Sequence, residues 1–263
     1  MAKRFRLDTR GFGGEPGVPD VTALAAWIAK HKGRTADILT YRIDRSLAPQ
    51  LDAGIMAPCA GGKFYGERIL SALAGVEDLV ATGELHAETH EIVEDAAGIV
   101  VQKKGAWCAV PAPHALGIRD DYYDDEMEWN AAICGMYRTI LRDMRDIGVD
   151  GHVLICDRIA DAELIALNHL KIFFFEPAPD RESLARLLER QRQVAVQKNQ
   201  LKTLMSLTDE YTVRKLFIID PDPQAIALAR THLDPDQIVA GGYCTAEDEI
   251  YWKDIVASAE IVL

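Results

Sequence analysis

The feature that most constrains the fold of this chain is a rhythm in its last hundred or so residues. After Gly151, short unbroken apolar runs alternate with amphipathic stretches: HVLICD, ADAELIALNH, KIFFFEP, then KLFIIDPDP, QAIALARTHL, QIVAGGY and AEDEIYWKDIVASA. A strand that is apolar at every position has no face to give to water. Both of its faces must be covered, and the intervening helices supply the cover, which is the signature of a parallel sheet built from βαβ units.

The first 150 residues carry a different pattern. GFGGEPGVPDV reads as a Gly/Pro-rich loop, and VTALAAWIAKHK as a helix capped by Asp20 and ended by Gly33. ADILTYRI reads as a strand and FYGERILSALAG as a helix stopping at Gly75. From Glu84 to Pro111 the period suggests antiparallel strands, with turns at Gly98 and Gly105. A long helix follows from Asp124 to Ile147, and Asp180 to about Leu207 reads as another. The expectation is an α/β protein in two parts. Residues 1–150 form an α+β half with a small antiparallel sheet, and residues 151–263 a parallel βαβ half, separate from the first or continuous with it.

Composition narrows the function classes. The formal net charge of −12 and a pI near 5.0 argue against a nucleic-acid-binding face and against docking on anionic lipid. No apolar run approaches a membrane span, and the first residues lack the apolar core of a signal peptide, so a cytoplasmic protein is expected. Cys59, Cys108, Cys134, Cys156 and Cys244 are scattered without a CxxC pair, as in a chain of reduced thiols.

In open α/β sheets ligands gather beyond the carboxyl ends of the strands. Asp157 ends HVLICD, Glu176 ends KIFFFE, Asp220 ends KLFIID with Asp222 two residues on, and Gly241 and Gly242 end QIVAGG. Carboxylates brought to one rim can hold Mg²⁺ or another divalent cation, which in turn can bridge a phosphate. Asp220 and Glu176 are the candidate catalytic groups, with Asp157, Asp222, Gly241 and Gly242 as ligand contacts. The glutamate followed by DxD resembles the acidic signature of TOPRIM domains, and the apolar run before DxD resembles the nucleophile motif of haloacid-dehalogenase-like phosphatases. The first match lacks the intervening strand and glycine, the second the later lysine and acid motifs, so neither family is assigned.

Two other stretches carry candidate chemistry. APCAGGKF satisfies the first part of a Walker A loop but has Phe64 where the Mg²⁺-binding hydroxyl belongs, which leaves Lys63 at a looser anion site. HAETHE places His86, Glu88 and His90 on one face if it is a strand, a spacing suited to Zn²⁺ or Fe²⁺, with Cys108 or His114 as a further ligand. The acidic run from Asp120 to Glu128 lacks EF-hand spacing and reads as a capped helix start.

The functional expectation is a small anionic or phosphate-bearing ligand held with a divalent cation at the strand ends, with phosphoester hydrolysis or transfer as the reaction class. The alternatives are a non-catalytic homo-oligomeric binding or regulatory module, and a transition-metal protein using His86, Glu88 and His90.

Overall fold

The structure, a computed structural model, describes residues 4–31, 36–169, 171–246 and 250–262. Gly33, assigned above to end the first helix, lies outside them. Among the described residues eight parallel strands follow one another in chain order: β1 (Asp8–Gly14), β2 (Cys59–Gly61), β3 (Trp107–Pro111), β4 (His152–Ile155), β5 (Ile172–Phe175), β6 (Gln193–Gln197), β7 (Lys215–Ile219) and β8 (Ile238–Cys244). Strands β2-β3-β4-β5 form one ladder and β6-β7-β8-β1 another, every neighbour parallel.

Alternation along these strands explains the apolar runs. Phe12, Cys59, Ala109, Val153, Ile155, Phe173, Phe175, Ala195, Phe217, Ile219, Val239 and Tyr243, drawn from all eight strands, share one cluster. Their neighbours Leu154, Phe174, Val194, Val196, Leu216 and Ile218 belong instead to the two clusters packed under the helices. One set of side chains fills an interior and the other meets a helical layer. This is a (β/α)8 barrel with a filled core. The interior is aromatic: Phe12 lies 5.1–5.4 Å from Phe173, Phe175 and Phe217, mostly edge to face.

The ladders meet at two seams, and a glutamine spans each. Between β1 and β2 the backbone makes one bridge, Arg10 to Ala57. Next to it the fully buried Gln50 accepts from Cys59 N (2.9 Å) and donates to Cys59 O (2.7 Å). Gly11 must be glycine here, because a Cβ would collide with Gln50 Oε1. Between β5 and β6, Gln191 accepts from Phe174 N (3.1 Å) and donates to Phe174 O (3.0 Å).

The helices are α1 (Val21–Lys30), α2 (Ile38–Ala53), α3 (Gly66–Ser71), α4 (His90–Gln102), α5 (Glu126–Ile147), α6 (Asp161–Leu167), α7 (Arg181–Arg190), α8 (Leu201–Met205), α9 (Pro223–Ala229) and α10 (Tyr251–Ser258). Asp20 caps α1 through Ala23 N, and α5 begins one residue after its cap Asp125. An antiparallel hairpin, Leu73–Glu77 with Val80–Ala87, stands outside the barrel, and Arg119–Asp120 joins its edge.

Several local expectations are corrected. ADILTYRI is helical: Asp37 and Thr40 form a capping box, and Leu39, Ile43, Ser46, Leu47 and Gln50 are buried at helical spacing. GFGG is not loop but the buried end of β1. AWCAVP is a barrel strand, not an antiparallel one. The stretch from Asp180 to Leu207 is not one helix: VAV within it is β6, buried on both faces, between α7 and α8.

Candidate functional site at the barrel mouth

The carboxyl ends of the eight strands open on one side, and His114 organises it. β3 ends at Pro111, and the short turn Pro113–Leu116 places His114 beside β4. Glu163, on α6 and 5% exposed, accepts from the His114 backbone N (2.7 Å) and bonds its Nδ1 (2.8 Å). Across the ring, Nε2 meets Asp157 Oδ1 at 2.6 Å, with Asp157 64% exposed. Burial opposes the charged ring, but the two carboxylates outweigh it and hold the His114 pKa above the ordinary imidazole value. One partner is buried and fixes the ring; the other faces solvent at the rim. The arrangement presents an oriented imidazole whose charged form the two carboxylates favour.

Glu176 follows β5. It is 8% exposed, and its Oε2 is buried without a hydrogen-bond partner. Burial and the charges of Asp180 and Asp157 raise its pKa, against the opposing pull of Ser183 and His114. A buried acceptor with nothing to accept is rare, and marks a site where a donor is missing.

The opposite side of the mouth is braced. Glu15 Oε1, just beyond β1, accepts from Lys63 N and from Tyr243 Oη, both at 2.6 Å. Tyr251 Oη donates to Asp220 Oδ1 (2.5 Å) and accepts from Tyr243 N (2.7 Å). Asp220 has φ +52°, a left-handed conformation that aspartate tolerates better than most residues. Asp222 caps α9 through Ala225 N (2.8 Å) and pairs with Lys198 Nζ (3.2 Å) beyond β6.

The strand-end residues singled out from sequence therefore occupy one rim but do different things. Asp157 and Glu176 lie together with His114, whereas Asp220 and Asp222 are engaged with Tyr251, Ala225 and Lys198. Lys63 is exposed and opens the turn Lys63–Tyr65 after β2. Gly241 and Gly242 sit inside β8, which runs on to Cys244; Cβ atoms there would crowd Ile219 and Trp252.

The reading of HAETHE as one strand is corrected. His86 is the last residue but one of the hairpin strand, Glu88 lies in the connection, and His90 begins α4. The two histidines are 66% and 85% exposed and pair weakly with Glu84 and Glu94. Among the described residues no group of three or more His, Cys, Asp or Glu is arranged to hold a metal ion. None of the helices described is long and apolar enough to cross a membrane.

Sequence reasoning missed the part played by His114, Glu163, Glu15, Tyr243 and Tyr251. A signal existed for the first: with β3 read as parallel, PAPH falls at a strand end, level with Asp157.

Fold and site together define a (β/α)8 barrel with an acidic, histidine-centred mouth, the face on which barrels of this kind carry their ligands. No protein-family model and no curated protein sequence matches the chain. Among solved structures it is similar to a candidate vitamin-B12-independent methionine synthase from Listeria monocytogenes, at 16% identity and TM-score 0.54, over 97% of this chain and 95% of that one. It is also similar to a B12-independent methionine synthase from Shewanella sp. W3-18-1 in complex with selenomethionine, at 14% identity and TM-score 0.56, over 97% and 96%. At these identities the likeness is one of fold.

Proposed function

We propose that the barrel mouth binds a small amine-bearing molecule of amino-acid size, and that His114 gives and takes a proton there. The observation that carries this reading is the unpartnered, buried Glu176 Oε2 beside Asp157 and the Glu163–His114 pair. An ammonium supplies the donors that this oxygen lacks and the charge that two neighbouring carboxylates favour. The rim is richer in carboxylates than in cations, so an amine suits it better than the phosphate-bearing ligand expected from sequence. Asp220 and Asp222, read there as cation ligands, already have partners. Lys63, exposed on the β2 rim, offers a cation to a ligand carboxylate. The Shewanella neighbour was solved with selenomethionine, an amino acid, which supports the choice of ligand class.

The proton chemistry follows from the orientation of His114. Glu163 fixes Nδ1, so Nε2 is the nitrogen that faces a ligand, and displacing Asp157 from it frees that nitrogen to exchange a proton with the ligand. Such a group serves as general acid, and after release of the proton as general base.

Calorimetric titration with L-methionine and L-selenomethionine tests the reading, with N-acetyl-L-methionine as the analogue without an ammonium. Binding is expected for the free amino acids, with a loss of at least about tenfold on acetylation and in Glu176→Gln. Binding that ignores both changes, or none by either amino acid, overturns it.

A further inference from the structure

At the end of the barrel where the strands begin, opposite the mouth, the floor holds a charge that no protein group pairs. Arg10, in the first half of β1 and facing inward like Phe12, is 8% exposed. Its guanidinium carbon lies 4.0 Å from the centre of the Trp107 ring and 5.0–5.4 Å from those of Phe12, Phe173 and Phe217. Nε and Nη2 are sealed from water and have no hydrogen-bond partner. Nη1 has no partner among the described residues either, but it is not sealed, so it is the nitrogen that solvent reaches.

Four rings compensate a guanidinium only in part, because a ring face attracts the charge without accepting its N–H groups as an anion does. A buried charge is ordinarily paired as well as hydrogen-bonded. Here the acids of the floor are already engaged. Asp8 Oδ2 lies 3.9 Å from Lys215 Nζ, and Asp150 accepts from Lys171 Nζ (2.6 Å) and Trp107 Nε1 (3.2 Å); neither pairs with Arg10. Burial lowers the Arg10 pKa, though only to about 10, so the group is charged at neutral pH. Arg192 and Arg214, which precede β6 and β7 on the same end of the barrel, are exposed and make no ion pair among the described residues. Their field favours an anion here, in contrast to the acidic mouth.

We infer that the barrel floor binds a small monovalent anion, of the size of chloride, at Nη1 of Arg10. Such an ion gives the guanidinium the acceptor that the protein does not, and the positive edges of the surrounding rings favour it further. A single nitrogen offers itself, and Asp8 and Asp150 stand near, which disfavours a dianion or a bulky organic acid. The site is separate from the mouth and independent of what binds there. At the floor of a barrel its effect falls on stability.

Urea unfolding followed by circular dichroism, at constant ionic strength, tests the inference as sodium gluconate, too bulky for the gap, is replaced by sodium chloride. For a Kd of about 10 mM, the folded-to-unfolded ratio should rise about elevenfold by about 100 mM chloride. Arg10→Met, which keeps an apolar stem against Trp107, should unfold cooperatively and lose that dependence. If the variant does not fold, anomalous diffraction from wild-type crystals grown in bromide locates the ion directly, in contact with Nη1. The inference is overturned if the wild type is equally stable in the two salts, if folded Arg10→Met keeps the chloride dependence, or if bromide is absent from the floor.

Discussion

Gln50 offers the most direct test of how this barrel closes. Its side chain is fully buried and makes three hydrogen bonds, two to Cys59 N and O and one to Ser46 O (2.7 Å). Cys59 is itself inaccessible to water. Replacement by methionine keeps length and volume and removes the amide. The Ser46 carbonyl sits inside α2 and loses little, but Cys59 N and O become buried and unpaired. At about 1–3 kcal/mol for each orphaned group, Gln50→Met should cost roughly 3–5 kcal/mol. For a chain of this size that is a fall in Tm of about 10 °C. Urea unfolding followed by circular dichroism gives the free energy, and a thermal melt gives the shift. Gln191→Met, at the other seam, should cost less because Gln191 is only half-buried, whereas Gln50 is fully buried. A double-mutant cycle sharpens the test: Gly11→Ala collides with Gln50 Oε1, so its cost should shrink in a Gln50→Ala background. A Gln50→Met protein within about 1 kcal/mol of the wild type would refute the argument that this amide replaces missing ladder bonds.

Three further outcomes follow from the site and the barrel floor. The His114 pKa is raised in the folded state, so its contribution to stability is complete below about pH 6.5 and is lost as pH rises through the folded value. Unfolding free energies measured from acid to mildly alkaline pH should fall across that window in the wild type, and the fall should vanish in His114→Asn. Arg10 is buried below Phe12 with Nε and Nη2 unpaired and its guanidinium 4.0 Å from the Trp107 ring; burial lowers its pKa to about 10. Because lysine neither stacks nor tolerates this burial, Arg10→Lys should be less stable than Arg10→Met in thermal melts, and the reverse order would show that charge outweighs packing there. Asp222→Ala should lose about 1 kcal/mol of stability with its cap and leave methionine titrations unchanged, since its carboxylate is already engaged by Ala225 and Lys198.

How far the sequence reveals this protein depends on where the deciding information lies. Strands β4, β5, β7 and β8 are legible because an inner strand covered on both faces has no choice but continuous apolar residues, and the acids that follow them fall at the mouth for the same reason. Strand β6 is hidden: its three buried residues, VAV, sit between RQRQ and QKNQ, and the residue that ties it to β5 is a glutamine, indistinguishable in sequence from a solvated one. Strand β1 is disguised by its glycines, which answer to Gln50 and to Ala109 across the barrel rather than to any local turn. ADILTYRI carries strand-forming residues, yet the Asp37–Thr40 box starts a helix that tertiary packing then completes. The site divides along the same line. Which acids reach the rim follows from strand polarity, but which of them are left free follows from partners distant in the chain: Tyr251 for Asp220, Lys198 for Asp222, and none for Glu176 Oε2. A carboxylate's availability is therefore a property of the fold and not of its motif. For that reason the functional reading proposed here rests on Glu176 and His114, while the DxD that stands out in the sequence is engaged by Tyr251, Ala225 and Lys198.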